Sequence, residues 1–433
     1  MIDIKTKFKE TEIGTIPEEW DISNVVKLCR VVTGKTPPTS NLEFYGDGYL
    51  FVKIPDMTDS VYIIKTETKI SEKGAEYLGK AKLPKNSIMV SCIATIGNVG
   101  ITSKESFTNQ QINTLIPDCN IADYRYLYYF FKNNKELLES LGGGGSVYTN
   151  ISKSKFESMA VAVPELSEQK QIAEVLSSLD DKIELNRQIN ANLEKIASSL
   201  FKQWFVDFEF PNEKGKPYKS SDGKMIDSEL GMIPNEWKVI PMAEFFDFLE
   251  GPGIRNWQYA QQGTRFINIR LIDGGDIDVN SANYINQTDV DEKYQHFLLK
   301  ERDMVLSASG TLGKSAIVRK SHLPLLLNTS VIRFRPKDGI SYPFLYQYLQ
   351  SRYFLEEQVR LSAGSVQANF GPTHLNKMSV IVPNKKLLDN FNQVCGSLYD
   401  QMLLNFNKNE DLSKTRNSLL PRLMSGKMRI KPL

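Results

Sequence analysis

The chain has 433 residues, a mass of 49.2 kDa and a formal net charge of +2 from 53 basic and 51 acidic residues, a length that predicts two or three domains. With 41% hydrophobic and 24% charged residues it is neither disordered nor collagen-like, and its near-neutral balance gives no electrostatic sign of nucleic-acid binding. Three histidines argue against a histidine metal site or a Ser-His-Asp hydrolase, and the scattered Cys29, Cys92, Cys119 and Cys395 form neither a disulfide framework nor a zinc spacing, as expected of a reducing cytoplasm.

The opening residues, Met1-Ile2-Asp3-Ile4-Lys5, have no apolar core or small-residue cleavage site, so no secretory signal is expected. No stretch nears the roughly 18 apolar residues of a membrane span. From about residue 21 to 164, short β-rich runs alternate with Gly and Pro; 49–54, 87–91 and 113–116 read as strands. One helix, 124–140, interrupts them and ends at the run Gly142-Gly143-Gly144-Gly145. A long helix comes next. Ser167 is placed to cap it and Glu168 to sit in its first turn, where a carboxylate is favoured. Apolar positions then step by three and four through Ile172, Val175 or Leu176, Leu179, Ile183, Ile189, Leu193, Ile196 or Ala197, Leu200 and Trp204, with no Pro or Gly before Pro211. The run is roughly 40 residues, or about 60 Å at 1.5 Å per residue. The polar segment 212–227 reads as a linker.

The sequence beyond the linker repeats the sequence before it. Glu12-Ile13-Gly14-Thr15-Ile16-Pro17-Glu18-Glu19-Trp20 returns, 217 residues later, as Glu229-Leu230-Gly231-Met232-Ile233-Pro234-Asn235-Glu236-Trp237. Thr95-Ile96-Gly97 returns as Thr311-Leu312-Gly313, and Gly145-Ser146-Val147 as Gly364-Ser365-Val366. A period this long is no solenoid repeat; it marks a duplicated domain-plus-helix unit. Runs at 266–269, 304–307 and 331–334 read as the matching strands and 342–361 as the matching helix. Phe391, Val394, Leu398, Met402, Leu412, Leu419 and Leu423 form the second long stripe. The expected fold class is α+β, with similar globular domains over 1–165 and 229–384. Long helices over 166–210 and 385–433, the latter with a basic tail, are expected to zip into an intramolecular antiparallel coiled coil with pseudo-twofold symmetry, and 211–228 forms the linker. Asn186 and its repeat mate Asn405 fall at seam positions, where a polar side chain fixes register.

Catalytic constellations are missing. Gly310-Thr311-Leu312-Gly313-Lys314-Ser315 has the end of a phosphate-cradling loop but Ala308 where its first glycine is required. Pro55-Asp56 with Glu67-Thr68-Lys69 has the residue types of a Mg²⁺ nuclease. Such short patterns arise often by chance, and the second half has no matching Glu-x-Lys. The chain itself is expected to hold no catalytic residue, metal or cofactor.

Over essentially its full length the sequence resembles the specificity subunit of Type I restriction-modification systems. The resemblance rests on the doubled Ile13-to-Trp20 motif, the Gly34-Lys35-Thr36-Pro37 loop, the Thr95-Ile96-Gly97 turn, and the junction Val161-Ala162-Val163-Pro164 leading to Glu168-Gln169-Lys170-Gln171-Ile172. In the second half Gly251-Pro252-Gly253 replaces the Gly-Lys-Thr-Pro loop, and Lys386-Leu387-Leu388 replaces the Glu-Gln start of the helix. The resemblance implies a non-catalytic cytoplasmic subunit reading an asymmetric bipartite target on double-stranded DNA, one target-recognition domain per half-site. It implies a scaffold for two modification (adenine methyltransferase) subunits and for restriction/translocase subunits, with S-adenosylmethionine, ATP and Mg²⁺ in those partners. Two readings compete: a recognition subunit whose partner fuses methyltransferase and nuclease, and an interaction scaffold that binds no DNA.

Base readout calls for Arg, Lys, amide or hydroxyl side chains on loops beside a groove. Candidates in the first domain are Lys35, Thr36, Lys53, Thr95, Gln110, Gln111, Ser146, Tyr148 and Asn150; in the second they are Arg255, Asn256, Arg270, Ser309, Thr311, Lys314, Ser365, Gln367 and Asn369. The apolar helix ends Leu200, Phe201, Trp204 and Phe205, with Leu419, Leu420 and Leu423, are expected at partner interfaces. Nine arginines between Lys238 and Pro383, against Arg30 and Arg125 alone in the first domain, predict more guanine contacts for the second half-site. The basic segment from Lys385 onward is expected to meet DNA backbone or an acidic partner.

Overall fold

The computed structural model describes residues 6–58, 60–143, 150–362 and 370–430. It comprises two compact units: Met1–Leu185 with Asn409–Leu433, and Asn186–Lys408. Each unit therefore contains part of both long helices.

In the first unit a five-stranded sheet has the order Cys29–Thr33, Ile112–Pro117, Ile88–Ser91, Val99–Thr102, Tyr62–Ile63, antiparallel except for its last pair. Ile88-Met89-Val90-Ser91 is buried throughout, hence its lack of polar alternation. A three-stranded sheet of Ser106–Thr108, Tyr45–Val52 and Thr68–Ile70 packs around Phe51, Ile70 and Phe107. The helix Tyr124–Asn133 begins where the Asp123 carboxylate accepts from the backbone N–H groups of Arg125 and Tyr126 (2.9 and 3.0 Å). It does not continue to residue 140. Asn134 leaves the helical region (φ −109°, ψ 35°), and both its side-chain amide and its backbone N–H donate to the Phe130 carbonyl, so a separate helix, Lys135–Leu141, starts there.

The second unit repeats the plan. One antiparallel sheet has the order Phe246–Glu250, Val331–Pro336, Met304–Ser307, Ser315–Ile317. A second has the order Tyr259–Ala260, Asn283–Ile285, Thr264–Phe266, Leu325–Leu326. The expected helix 342–361 is again two, Tyr342–Gln350 and Arg352–Ser362. Ser351 turns extended (ψ 146°) and its Oγ accepts from the Phe354 N–H at 3.2 Å.

The long helices are Leu166–Phe201 and Lys385–Met424. Ser167 lies inside the first turn rather than capping it, because the Gln169 N–H already reaches the Glu165 carbonyl (2.9 Å). The first helix also ends short of residue 210. Lys202–Val206 is a π-helical turn, followed by Phe208 in the left-handed region (φ +60°). The Lys202 ammonium closes this turn on Asp207 (2.6 and 2.7 Å). The turn swings Trp204 and Phe205 onto Phe391 (5.9 and 4.8 Å between ring centres). In the second stripe Val394 is exposed and Cys395 is buried in its place.

Within each unit the two long helices run antiparallel. In the first unit the Asn409 amide donates to the Ile183 carbonyl (3.3 Å), and Arg416 pairs with buried Asp180, which also accepts from the Tyr129 hydroxyl (2.7 Å). In the second, the Asn405 amide donates to Asn190 Oδ1 (2.8 Å) and the Asn190 amide donates to the Met402 carbonyl (3.2 Å). Asn186 and Asn405 are buried at 2% and 3% exposure. Asn190 and Asn409 belong with them, and the 219-residue spacing that links 186 to 405 links these two as well.

The segment after each helix covers a copy of the repeated motif. A side chain at Gly426 would lie 2.3 Å from Pro17, and Arg429 holds Glu168 (2.7 and 3.0 Å) and Glu19. In the second unit Phe208 and Phe210 pack on Trp237 (5.4 and 5.2 Å).

The buried polar groups of the helices are open to direct test. Asn190→Leu strands a buried Asn405 amide and should cost about 1–3 kcal/mol, whereas Asn190→Leu with Asn405→Leu should recover most of it. Urea unfolding of the three proteins is the check; an unaffected single variant would refute the pairing. On the same helix, burial lifts the Glu194 carboxyl to about 7, despite a hydrogen bond from Gln347 (3.1 Å). The folded state thus retains a proton that the unfolded chain loses near its ordinary value of 4.5. Stability should therefore fall as pH rises from 4.5 to 7, by on the order of 3 kcal/mol. Glu194→Gln should flatten that slope in a pH series of unfolding curves.

Candidate nucleic-acid interface

In the first unit four loops converge on the segment Asn109-Gln110-Gln111. The Lys35 N–H donates to the Thr108 carbonyl (2.9 Å) and the Asn109 N–H to the Val52 carbonyl (3.2 Å). The Cys92 N–H donates to the Gln111 carbonyl (2.8 Å), and the Ile151 N–H to the Cys92 carbonyl (2.9 Å). This ladder brings Lys35, Thr36, Lys53, Thr95, Gln110, Gln111 and Asn150 to one set of adjoining loops. Gly34 makes the approach possible, because a Cβ there would lie 2.1 Å from the Asn109 carbonyl oxygen.

Side chains on these loops are already oriented. The Thr36 hydroxyl donates to Gln110 Oε1 (2.6 Å), and the Asn109 amide donates to Gln111 Oε1 (2.9 Å). Both glutamine oxygens are thereby held, and their amide nitrogens are left to donate. The Lys35 ammonium rides 4.9 Å over the half-exposed Tyr77 ring. Lys53 is held differently, donating to the Thr68 hydroxyl (2.8 Å). The turn bearing Thr95 is strained: Ala94 takes φ +64°, at a cost of about 1–2 kcal/mol. It is held by Ser91, whose hydroxyl donates to the Thr95 carbonyl (2.5 Å) and accepts from the Asn98 N–H (2.9 Å).

The second unit keeps the last two of these rungs and replaces another, the Pro252 carbonyl accepting where the Lys35 N–H donates. The Thr329 N–H donates to the Pro252 carbonyl (3.2 Å), the Ala308 N–H to the Ser330 carbonyl (2.8 Å), and the Phe370 N–H to the Ala308 carbonyl (2.8 Å). Gly251 plays the part of Gly34: its Cβ would lie 2.4 Å from the Asn328 nitrogen. Gly310, at φ +66°, stands where Ala94 stands. Thr329 and Ser330 occupy the places of Gln110 and Gln111, and Asn328 that of Asn109. Sequence reasoning missed Asn109, Asn328, Thr329 and Ser330, although the 219-residue spacing that matches the long helices also pairs 109 with 328. Ser309 and Thr311 lie on the matching turn, and Arg255 and Asn256 are exposed on the loop that comes after Gly251.

Several expectations are corrected. Lys314 turns inward and donates to the Ile272 carbonyl (3.1 Å). Arg270 is held by the Ser281 carbonyl (3.0 Å) and Asn283 (3.2 Å). Eight of the nine second-domain arginines have partners within their own unit: Arg319 pairs with Asp276 (2.9 Å), Arg333 with Asp247 (2.8 Å), Arg302 with Asp400 (2.9 Å), and Arg335 with Asp303. Arg352 and Arg360 pair with neighbouring glutamates, and Arg265 and Arg270 donate to carbonyls. Arg265, Arg319, Arg333 and Arg335 are at least partly buried in these contacts, so the arginine count by itself gives no ground for guanine-rich reading. In the basic C-terminal segment, Arg416 and Arg429 are likewise taken up by Asp180 and by Glu168 with Glu19.

The helix ends are not free partner surfaces. Phe201, Trp204 and Phe205 are buried in the core of the second unit, and Leu420 and Leu423 in that of the first; Leu200 and Leu419 pack against those cores. Asp56 of the nuclease-like pattern accepts from the N–H groups of Lys53 (2.8 Å) and Glu67 (3.1 Å), which shapes its loop. Ser146, Tyr148, Ser365, Gln367 and Asn369 lie outside the described residues. Among the described residues no cluster of His, Cys, Asp and Glu could hold a metal ion, and no helix is long and apolar enough to cross a membrane.

Comparison with known proteins agrees with this architecture. The family model of the Type I restriction modification DNA specificity domain matches residues 17–195 and again 234–393. The chain is 28% identical over 437 residues to the Type I restriction enzyme MjaIX specificity subunit of Methanocaldococcus jannaschii, covering 99% of this chain and 98% of that one. It is 41% identical over 150 residues to the HindI specificity subunit of Haemophilus influenzae, covering 34% of this chain and 33% of the other. The fold resembles the crystal structure of a Type I restriction-modification S subunit from M. genitalium, with a TM-score of 0.52 at 17% identity over 99% of this chain and 100% of that one. The chain belongs to the Type I restriction-modification DNA specificity family, whose members recognise the DNA target and leave catalysis to partner subunits.

Proposed function

We propose that the chain reads an asymmetric, bipartite DNA target, one half-site per unit, through the loops gathered on Asn109–Gln111 in the first unit and Asn328–Ser330 in the second. The observation that carries this reading is a repeated backbone scaffold bearing unlike side chains. Gln110 and Thr329, Gln111 and Ser330, and Thr36 and Gly253 occupy matching places. One scaffold with two sets of donors suits two different half-sites, because hydrogen bonds to base edges specify sequence while the backbone positions them.

The two long helices act as an intramolecular antiparallel coiled coil that sets the half-site separation, which must match the roughly 34 Å helical turn of DNA. Their antiparallel pairing inside each unit supports this role, as do the four repeat-related asparagines. Two modification subunits and the restriction/translocase subunits assemble on this frame in the cytoplasm. S-adenosylmethionine, ATP and Mg²⁺ reside in those partners.

Co-expression with the neighbouring modification subunit, followed by mapping of methylated adenines, tests the reading. A single two-part motif with unlike halves is expected. Gln110→Ala with Gln111→Ala should relax the first half alone, and Thr329→Ala with Ser330→Ala the second alone. Each lost base contact is worth about 1–3 kcal/mol of discrimination. Gly34→Val, which drives the loop off Asn109, should abolish methylation at the motif. Binding should also weaken steeply with added salt. Both pairs of variants relaxing the same half, or leaving the motif unchanged, would refute one half-site per unit.

A further inference from the structure

The two most exposed large apolar side chains among the described residues are Trp257, at 83%, and Leu42, at 79%. They lie on the same element of the two units, the short 3-10 turn between the glycine loop and the next strand. Leu42 is on the turn Leu42–Phe44, and Trp257 on the turn Asn256–Gln258. Folding gains almost nothing from either side chain. Each turn is nevertheless fastened on both sides. Asn41 Oδ1 accepts from the Glu43 N–H (3.1 Å), and the hydroxyl of Tyr45, just past the turn, donates to the Pro37 carbonyl (2.7 Å). In the second unit the Arg255 N–H donates to Gln258 Oε1 (2.9 Å), whose amide in turn donates to the Tyr294 hydroxyl (3.2 Å). The apolar tips are thus held on rigid bases rather than on loose loops.

The surroundings select the occupant. A protein interface needs a contiguous apolar patch with a desolvated centre. Here each apolar tip has little apolar company, Phe44 stacked on Tyr77 beside Leu42 and Tyr259 just after Trp257, and is rimmed by polar groups: Asn41 and Glu43 in one unit, Arg255, Asn256 and Gln258 in the other. A small apolar wedge on a fastened base, with cationic Lys35 or Arg255 nearby on the same loop, suits insertion into a base step of duplex DNA. We infer that Leu42 and Trp257 are base-step wedges, each unstacking one step in the half-site read by its own unit. The inference rests on the proposed DNA reading and adds a deformation component to it, by which sequence is selected at a step that no hydrogen bond reads.

The test uses the full chain assembled with its modification partner on the mapped duplex, carrying 2-aminopurine at successive positions of each half-site. Beside the adenine that the methyltransferase takes out of the stack, one further position per half-site should brighten on binding. Trp257→Ala should abolish that further brightening in the second unit's half-site only, and Leu42→Ala in the other only. Each should weaken binding about tenfold without lowering the melting temperature, and Trp257→Phe should retain most of the affinity. Trp20, Trp204 and Trp237 are buried (1%, 9% and 3%), so acrylamide quenching reports Trp257, and bound DNA should shield it. Unchanged affinity and brightening in the alanine variants, with Trp257 still quenched in the complex, would overturn the wedge while leaving DNA reading intact. Loss of partner assembly with DNA binding preserved would assign these residues to a protein contact and also overturn it. A wild-type assembly that shows no salt-sensitive binding to the mapped duplex would overturn DNA reading, and the wedge with it.

Discussion

Apolar burial between segments far apart in the chain underlies both units. In the first, Leu420, Leu423 and Met424 of the second long helix complete a core that contains Trp20, Ile172 and Leu176. In the second, Phe391, Cys395 and Tyr399 meet Ala197, Phe201 and Trp204. Fully burying one such large side chain contributes about 1.5–3 kcal/mol, so neither unit keeps its core if the helices part. The polar groups on the seam reinforce this constraint. Asn190 and Asn405 have exchanged water for one another, and separation without rehydration would leave both unsatisfied. Helix pairing is therefore part of the tertiary core rather than a strut added to finished domains.

With the core secured this way, the loops gathered on Asn109–Gln111 and Asn328–Ser330 are free to differ. Their backbones are fixed by main-chain hydrogen bonds that ask nothing of the side chains beyond glycine at the two points of closest approach. The first unit tolerates Ala94 in a left-handed conformation that the second fills with glycine. Such strain persists only where the surroundings over-determine it, and here Ser91 ties both sides of the turn. The scaffold is held constant while its displayed groups vary, which is what a specificity module requires.

The charge pattern also makes physical sense. Although the chain is nearly neutral, many of its cations are committed. Arg319 and Arg335 neutralise carboxylates in partly or fully buried places, buried Arg333 pairs with Asp247, and Arg416 and Arg429 hold helix to core. A carboxylate or guanidinium left unpaired in such places would be costly. On the proposed reading, phosphate contacts fall to exposed residues such as Lys35 and Arg255.

Much of this was legible in the residues. Short β-rich runs marked the strands, a three-four stripe marked both long helices, and the repeat spacing matched Gly34 with Gly251 and Asn186 with Asn405, because these signals are local or recur at a nearly fixed interval. The fates of individual side chains were not legible. Trp204 and Phe205 read equally well as a partner surface or as core until a π-helical turn aims them at Phe391. Lys314 and Arg333 look like solvated cations until a carbonyl and a carboxylate from other strands appear beside them. Asn134 and Ser351 break helices that periodicity alone would continue. Pattern and repeat determined the elements and their duplication, whereas burial and pairing were decided in three dimensions, since a side chain's free energy depends on neighbours that the chain supplies from far along its length.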